Sequence, residues 1–210
     1  MSTLDEIKTA LINLDIPLVQ SGVRRALGEG LGPATVLEEG LIAGMNVVGQ
    51  RFKDGEVYMP EVMVAARTMH AGMQILKPLL TGAAHQAKGT VVIGTVKGDL
   101  HDIGKNLVIM MLEGGGFEVR DLGVDVPPEK FIEAVEGHNP QVVALSALLT
   151  STMPQMQATV ERLAPYRGKL RVIIGGAPIT QQYADRIGAD GYAADAASAV
   201  DRVKELMAGN

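Results

Sequence analysis

The chain has 210 residues, of which 47% are hydrophobic and 20% charged, and its formal net charge is −5. This composition is ample for packed cores, while scattered Lys and Arg in a net acidic chain argue against nucleic-acid or anionic-membrane binding. The absence of Cys excludes disulfides, thiolate nucleophiles and Cys-ligated metal sites. No apolar run approaches the ~18 residues of a membrane span and no signal-peptide pattern opens the chain, so we expect a cytoplasmic protein.

Residues 1–81 carry the apolar periodicity of four amphipathic helices. Ser2 or Thr3 is a candidate N-cap for the first helix, and Pro60 suits the first turn of the fourth. The predicted apolar faces carry, in chain order, Leu4, Ile7, Leu11 and Leu14; Leu18, Val19, Val23 and Leu27; Leu37, Leu41, Gly44 and Val48; and Val62, Ala66, Met69, Met73, Leu76 and Leu80. Four such helices with short connections predict a small bundle.

The segment 82–89 is small and polar, which is typical of a domain linker. From residue 90 to 210 apolar runs alternate with helical patterns. The predicted strands are Thr90–Val96, Phe117–Asp121, Gln141–Ser146, Leu170–Ile174 and a short one at Gly191-Tyr192, and the predicted helices span about 104–114, 128–137, 153–165, 180–188 and 196–208. Five β–α units with strands that are mostly continuous apolar runs predict a doubly wound α/β domain with a parallel sheet of the flavodoxin or Rossmann type.

A short polar motif, Asp99-Leu100-His101-Asp102-Ile103-Gly104, follows the first predicted strand. Loops at the carboxyl ends of parallel strands are where such sheets place ligands. An imidazole that binds a ligand through one nitrogen gives its other hydrogen to a carboxylate, here Asp99 or a neighbour, and Gly104 offers bare backbone to a bulky cofactor. Two alternatives remain: a surface turn in which Asp102 caps the next helix, and a divalent-ion site of a small hydrolase formed by Asp99, His101 and Asp102.

Two further loops are predicted at the same edge of the sheet. The third strand leads into Ser146–Thr152, and the fourth leads into Gly175-Gly176. Hydroxyls at strand ends often only satisfy backbone groups, and two glycines often only form a turn. No Gly-x-Gly-x-x-Gly follows the first strand, which argues against a dinucleotide fold. The three loops together predict one ligand site.

In these motifs the sequence resembles the cobalamin-binding domain, whose pattern is Asp-x-His-x-x-Gly, then Ser-x-Leu, then Gly-Gly. The three parts are Asp99 to Gly104, Ser146-Ala147-Leu148 and Gly175-Gly176. Nearly the full length is similar to the corrinoid proteins of anaerobic methyltransferase systems and to the cobalamin module of methionine synthase, both with a four-helix cap. The resemblance to the whole chain is carried by Gly44-Met45-Asn46-Val47-Val48-Gly49, Phe52, Met59-Pro60-Glu61-Val62, Val96-Lys97-Gly98-Asp99 through Lys105-Asn106, and Asp121-Leu122-Gly123-Val124.

The resemblance implies a cobalamin or related corrinoid bound base-off, with His101 as the lower ligand of cobalt. Asp99 would be the carboxylate behind that imidazole, and Thr152 would complete a proton relay where methionine synthase has Ser. Phe52 and Met59 would lie over the methyl-bearing face, with Met59 replacing a Leu. The nucleotide tail would lie along Ser146, Thr150, Gly175, Gly176 and Ala196. The implied cofactor-binding set is Glu38, Phe52, Met59, Gly98, Asp99, Leu100, His101, Asp102, Ile103, Gly104, Ser146, Leu148, Thr150, Thr152, Gly175, Gly176 and Ala196, with His101 as the metal ligand.

By the same resemblance the chain is a methyl carrier that is not catalytic alone. It would accept a methyl group on Co(I) from a substrate-specific methyltransferase and pass it from methyl-Co(III) to a second methyltransferase, with tetrahydrofolate or a thiol as acceptor. A reductive activase is the further implied partner. Such proteins serve methylamines, methanol, betaines or methoxylated aromatics. The alternatives are a cobalamin-binding regulator, for which we find no DNA-binding segment, and a mutase-associated subunit, for which we find no partner barrel.

Overall fold

The structure is a computed structural model that describes residues 2–80 and 87–208, apart from the side chain of Lys77. The chain divides into two compact units, Met1–Ala87 with Glu113–Gly116, and Lys88–Leu112 with Phe117–Asn210. Residues 82–86 of the predicted linker lie outside the described residues. In the two described ranges, no helix is both long enough and apolar enough to span a bilayer.

The first unit is helical. Its elements are α1 (Thr3–Ile12), α2 (Ile16–Gly28), α3 (Pro33–Thr35), a π-helical segment (Val36–Ile42), α4 (Ala43–Lys53), α5 (Met59–Leu76) and a 3₁₀ turn (Lys77–Leu79). The predicted third helix therefore spans α3 to α4, with a π-helical segment that the spacing did not predict. Such segments are rare and often lie at functional sites.

Local sequence explains where these helices begin and which face they bury. Ser2 forms a capping box with Asp5, and Asp15 caps α2 through the Leu18 N–H. Leu18 itself is 48% exposed, so its predicted place on the buried face is wrong. The buried face of α2 instead follows the i, i+3, i+4, i+7 pattern of Val19, Gly22, Val23 and Ala26. Leu14, also predicted on an apolar face, lies beyond the end of α1 with φ of 62°.

The second unit is the α/β domain. Its strands are β1 (Thr90–Thr95), β2 (Glu118–Asp121), β3 (Val142–Ser146), β4 (Arg171–Gly175) and β5 (Gly191–Ala193), and its helices are α6 (Ile103–Gly114), α7 (Pro128–His138), α8 (Met153–Leu163), α9 (Gln181–Ile187) and α10 (Ala196–Ala208). These elements agree with the predicted ones to within one or two residues at most ends. Residues 113–114 of α6 are assigned to the first unit.

The sheet is parallel throughout, with the strand order β2-β1-β3-β4-β5. This order confirms the predicted doubly wound fold. The connection from β1 leads outward to β2, whereas those from β2, β3 and β4 run the other way, so right-handed crossovers place helices on both faces. The direction reverses between β1 and β3, and the loops leaving the carboxyl ends of those two strands form the crevice that binds ligands in such sheets.

Candidate functional site

The predicted ligand loop lies at this switch point. It begins after β1 and ends at Ile103, where α6 starts. Thr95, the last residue of β1, donates from Oγ1 to the carbonyl oxygen of His101 at 2.8 Å. The strand end therefore holds the backbone of the imidazole-bearing residue directly.

Asp99 is the centre of the hydrogen-bond network at this edge, and none of its surface is exposed. Its Oδ1 accepts from the backbone N–H and from Nδ1 of His101, at 3.1 and 2.7 Å. Its Oδ2 accepts from Leu148 N at 2.7 Å, Leu149 N at 3.2 Å and Thr152 Oγ1 at 2.9 Å. Residues that follow β1 and β3 are thus joined through one carboxylate.

These hydrogen bonds determine the charge of Asp99. Burial alone would raise its pKa, because a charged carboxylate loses hydration in the interior. The donors from Leu148, His101 and Thr152 outweigh that effect and hold the pKa of the carboxyl well below its usual range. Asp99 is therefore a buried anion at neutral pH.

The imidazole of His101 lies at the surface. Half of its side chain is exposed, in contrast to the fully buried side chain of Asp99. Because Asp99 is ionised, Nδ1 of His101 carries the hydrogen of their shared bond, and the tautomer selected by this bond has its lone pair on Nε2. Within the described part of the chain, Nε2 has no hydrogen-bond partner. This is the arrangement of a histidine ready to bind a metal through Nε2.

Several large apolar side chains are exposed in the two loops next to His101. The exposed fractions are 71% for Leu100, 68% for Ile103, 42% for Leu148 and 41% for Leu149. All four belong to the two loops that Asp99 joins. Exposed apolar side chains around an available nitrogen fit a broad, flat metal-bearing macrocycle better than a hydrated ion. No cluster of three or more His, Cys, Asp or Glu that could hold a bare metal ion occurs among residues 2–80 and 87–208.

The two glycines in the loop have different surroundings. Gly98 has φ of 82°, a conformation that favours glycine, and its N–H donates to Asp125. At Gly104, an added Cβ would meet no heavy atom within 4 Å, so the backbone there is open to a ligand. Asp102 is exposed and accepts from Asn106 Nδ2 at 3.1 Å.

The predicted nucleotide-tail residues lie along the next strands. Ser146 ends β3 and is in register with Thr95 of β1 and Gly175 of β4. Gly176 has φ of 128°, and a Cβ there would lie 1.9 Å from the carbonyl oxygen of Ala147. The second glycine is therefore required by the close approach of two backbones, whatever else it binds. Thr150 is exposed, whereas Ala196 is buried at the start of α10.

The other predicted site residues, Glu38, Phe52 and Met59, belong to the helical unit. Glu38 lies on the exposed side of the π-helical segment, Phe52 is half-buried, and Met59 is 38% exposed. Their role at a cofactor stays a prediction.

Sequence reasoning missed several residues of this network. Leu149 contributes a backbone N–H, and backbone donors leave no trace in residue type. Asp125 accepts from Gly98, and Lys105 lies buried with Nζ 2.8 Å from both carboxylate oxygens of Asp121. Lys105, two residues before the apolar run from Leu107 to Leu112 in α6, was a usable signal, because a buried ammonium requires an acceptor.

Comparison with known proteins agrees with this geometry. A family model described as a B12 binding domain matches residues 89–201, and a second model of the same description matches residues 3–77. The chain is 46% identical over 208 residues to dimethylamine corrinoid protein 1 of Methanosarcina acetivorans, covering 98% of this chain and 97% of that protein. The chain belongs to the B12-binding corrinoid proteins.

Other relatives of this corrinoid protein include trimethylamine corrinoid protein 1 of Methanosarcina mazei, 42% identical over 95% of this chain and 94% of that protein. Among solved structures, a chain of the methanol:cobalamin methyltransferase complex from Methanosarcina barkeri has a TM-score of 0.88 at 32% identity, covering 99% of this chain and 80% of that chain. A cobalamin-binding protein from Desulfitobacterium hafniense has a TM-score of 0.80 at 35% identity, covering 97% of this chain and 98% of that chain.

Proposed function

We propose that this protein is the methyl carrier of a corrinoid-dependent methyltransferase system, with His101 as the lower axial ligand of cobalt. The observation that supports this most strongly is the Asp99–His101 pair, because it buries the carboxylate and leaves Nε2 at an exposed apolar surface. When bound, the corrinoid supplies a cobalt centre that accepts a methyl group and later releases it.

The chain's own residues adjust the electron donation of His101. An ionised Asp99 that accepts from Nδ1 raises the basicity of Nε2, which strengthens it as a ligand. Thr152 Oγ1 lies 2.9 Å from Asp99 Oδ2 and 2.8 Å from the carbonyl oxygen of Leu149, so its single hydrogen faces two acceptors. The Thr152 hydroxyl can therefore donate either to Asp99 Oδ2 or to the carbonyl oxygen of Leu149. Turning it toward Asp99 stabilises the negative charge behind His101, and turning it toward Leu149 leaves that charge with one donor fewer.

The methyl donor that we propose is a methylamine, since the dimethylamine and trimethylamine corrinoid proteins are similar over almost the whole chain. The first partner is then a methylamine-specific methyltransferase, and the second a methyltransferase with a thiol or tetrahydrofolate acceptor. A reductive activase would restore cobalt that has become oxidised. Purified methyltransferases with dimethylamine, trimethylamine, monomethylamine or methanol, assayed for methylation of the reduced full-length protein, would identify the donor.

The decisive experiment is reconstitution of the full-length chain with cobalamin, followed by absorption spectroscopy. We expect the wild type to take up cobalamin in the base-off form with a histidine on cobalt. His101→Ala should fold but shift the cobalt spectrum and weaken binding by about tenfold or more. His138→Ala is a matched control, because His138 is an exposed histidine at the end of α7. A wild type that takes up no cobalamin would overturn corrinoid binding, and an unchanged His101→Ala spectrum would overturn ligation.

A further inference from the structure

The loop after β2 pairs with the end of β1 and with the start of the ligand loop. Thr95 N donates to the carbonyl oxygen of Gly123 at 3.0 Å, and Val126 N donates to that of Thr95 at 2.9 Å. Val96 and Val126 form a parallel bridge. The loop from 123 to 126 therefore extends the β1–β2 pairing beyond the ends of the two strands, and Asp125 lies within it.

Asp125 contacts the Asp-x-His segment through both its side chain and its backbone. Its Oδ1 accepts from Gly98 N at 2.7 Å. Its own N–H donates to the carbonyl oxygen of Asp99 at 2.9 Å. One residue thus fixes the backbone at both ends of the Gly98-Asp99 dipeptide, which only Leu100 separates from His101.

The backbone of Asp125 is in the left-handed region, with φ of 56°. Asp is among the few residues other than glycine that tolerate this conformation, at a free-energy cost of about 1 kcal/mol or more. Glycine would remove that cost but would also remove the carboxylate that accepts from Gly98. An outlier of this kind at a ligand loop suggests that the side chain itself is needed.

We propose that Asp125 is a positioning residue for His101, an inference that rests on the proposed ligation of cobalt. It acts through Asp99: Asp125 fixes the backbone of Gly98 and Asp99, the Asp99 carboxylate then holds Nδ1 of His101, and this sets the direction of Nε2. Metal affinity is sensitive to such indirect partners, whose loss typically lowers it about 10–100-fold.

Three variants separate the hydrogen bond from the backbone strain. The Asp125→Gly variant can adopt φ of 56° but loses the oxygen that accepts a hydrogen bond from Gly98 N. The Asp125→Asn variant tolerates the same φ and keeps a side-chain oxygen. Asn139→Gly is the matched control, because Asn139 also has a positive φ, of 46°, but lies between α7 and β3, at the opposite edge of the sheet from His101. Thermal unfolding of each full-length apoprotein shows whether it is folded.

The readouts are the cobalamin dissociation constant and the EPR spectrum of cob(II)alamin bound to protein labelled with ¹⁵N-histidine. An axial histidine then splits the cobalt lines into doublets, whereas the cofactor's own base splits them into triplets. We expect Asp125→Gly to raise the dissociation constant about tenfold and to reduce the histidine-coordinated fraction to a minority, with the apoprotein no less stable than wild type. Asp125→Asn should restore both readouts to within about twofold, and Asn139→Gly should leave both unchanged.

If histidine coordinates cobalt in Asp125→Gly as fully as in the wild type, the positioning role is overturned and the proposed function is left intact. Asp125→Asn that folds but behaves like Asp125→Gly would overturn the hydrogen-bond explanation. If Asp125→Gly failed to fold, the Asp125→Asn spectrum would still decide, because loss of histidine coordination there contradicts the proposal and its retention supports it. Absence of histidine coordination in the wild type would overturn the proposed ligation itself, and the positioning role with it.

Discussion

Asp99 Oδ1 and His101 Nδ1 are 2.7 Å apart, in a pair whose acidic side chain is wholly buried and whose imidazole is half exposed. The two residues are separated by only Leu100, which is 71% exposed. A short loop therefore places a charge inside the protein and a ligand nitrogen at its surface. Burial protects the charge from competing water, so the ring keeps one tautomer and one direction.

The buried charge of Asp99 predicts a specific dependence of stability on pH. Its pKa is lower in the folded protein than the ordinary value of about 3.9 expected in the unfolded chain. The stabilisation is therefore fully present above about pH 5 and is lost as the pH falls below 3.9, by at most about 1.4 kcal/mol per pH unit.

Asp99→Asn tests this relation in the apoprotein. At pH 7 we expect the free energy of unfolding to fall by about 2–4 kcal/mol. The amide NH₂ of Asn is itself a donor, and it would face N–H or O–H groups that now donate to the carboxylate. The difference between wild type and variant should narrow as the pH is lowered from 5 to 3 in urea unfolding experiments. A difference that stays constant over this range would show that Asp99 is not a buried anion in the folded state.

Thr152 should contribute through its hydroxyl rather than its methyl group. Thr152→Val keeps the shape but removes one donor to the buried Asp99 carboxylate, and we expect a loss of about 1.5–3 kcal/mol in the free energy of unfolding, since the acceptor is charged. Thr152→Ser keeps the donor and should lose about 1 kcal/mol for the missing methyl group. Equal losses in the two variants, measured by urea unfolding at pH 7, would contradict a role for the hydroxyl.

The sequence predicted the parts of this site that depend on the types of side chain in recognisable motifs. Asp99 and His101 lie two residues apart, and Thr152 follows a strand end whose position the apolar run of β3 reveals. The doubly wound sheet followed from the apolar runs of β1, β3 and β4, because strands buried on both faces leave a strong pattern.

Other parts were not predictable because they depend on backbone geometry. Leu148 and Leu149 stabilise Asp99 through N–H groups that any residue except proline would supply. The role of Asp125 depends on a positive φ and on the pairing of two loops distant in the chain. The π-helical segment Val36–Ile42 is also hidden, because its apolar spacing is compatible with an ordinary α-helix.

Gly176 should tolerate no side chain. Gly176→Ala places a Cβ 1.9 Å from the backbone oxygen of Ala147 and adds strain at φ of 128°. We expect a loss of about 3 kcal/mol or more in the free energy of unfolding, together with weaker cobalamin binding, because the β3 and β4 loops must move apart.

Gly188→Ala is the control for that effect. Gly188 also has a positive φ, of 75°, but no heavy atom lies within 4 Å of the added Cβ. Only the backbone strain remains, so the expected loss is about 1 kcal/mol. Similar losses in the two alanine variants, compared by urea unfolding, would show that the backbone contact at Gly176 relaxes easily.

The ion pair between buried Lys105 and exposed Asp121 should respond unequally to removal of its two members. The side chain of Lys105 is 1% exposed, and that of Asp121 is 40% exposed. Lys105→Met leaves a carboxylate that water can reach, so we expect a loss of about 1 kcal/mol or less. Among the residues that the structure describes, Asp121→Ala leaves the buried ammonium with one hydrogen bond, at 2.8 Å to Asn106 Oδ1, and it also removes the acceptor of the Gly123 N–H, so we expect a loss of about 2–4 kcal/mol.

The double variant Lys105→Met with Asp121→Ala distinguishes an unpaired charge from lost packing. If the unpaired ammonium causes the loss, replacing Lys105 in the Asp121→Ala background should restore part of the stability, since no buried charge remains. Urea unfolding of the four apoproteins at pH 7 gives the coupling free energy. A double variant less stable than either single variant would contradict this account, and would instead indicate that both side chains stabilise the β1–β2 edge independently.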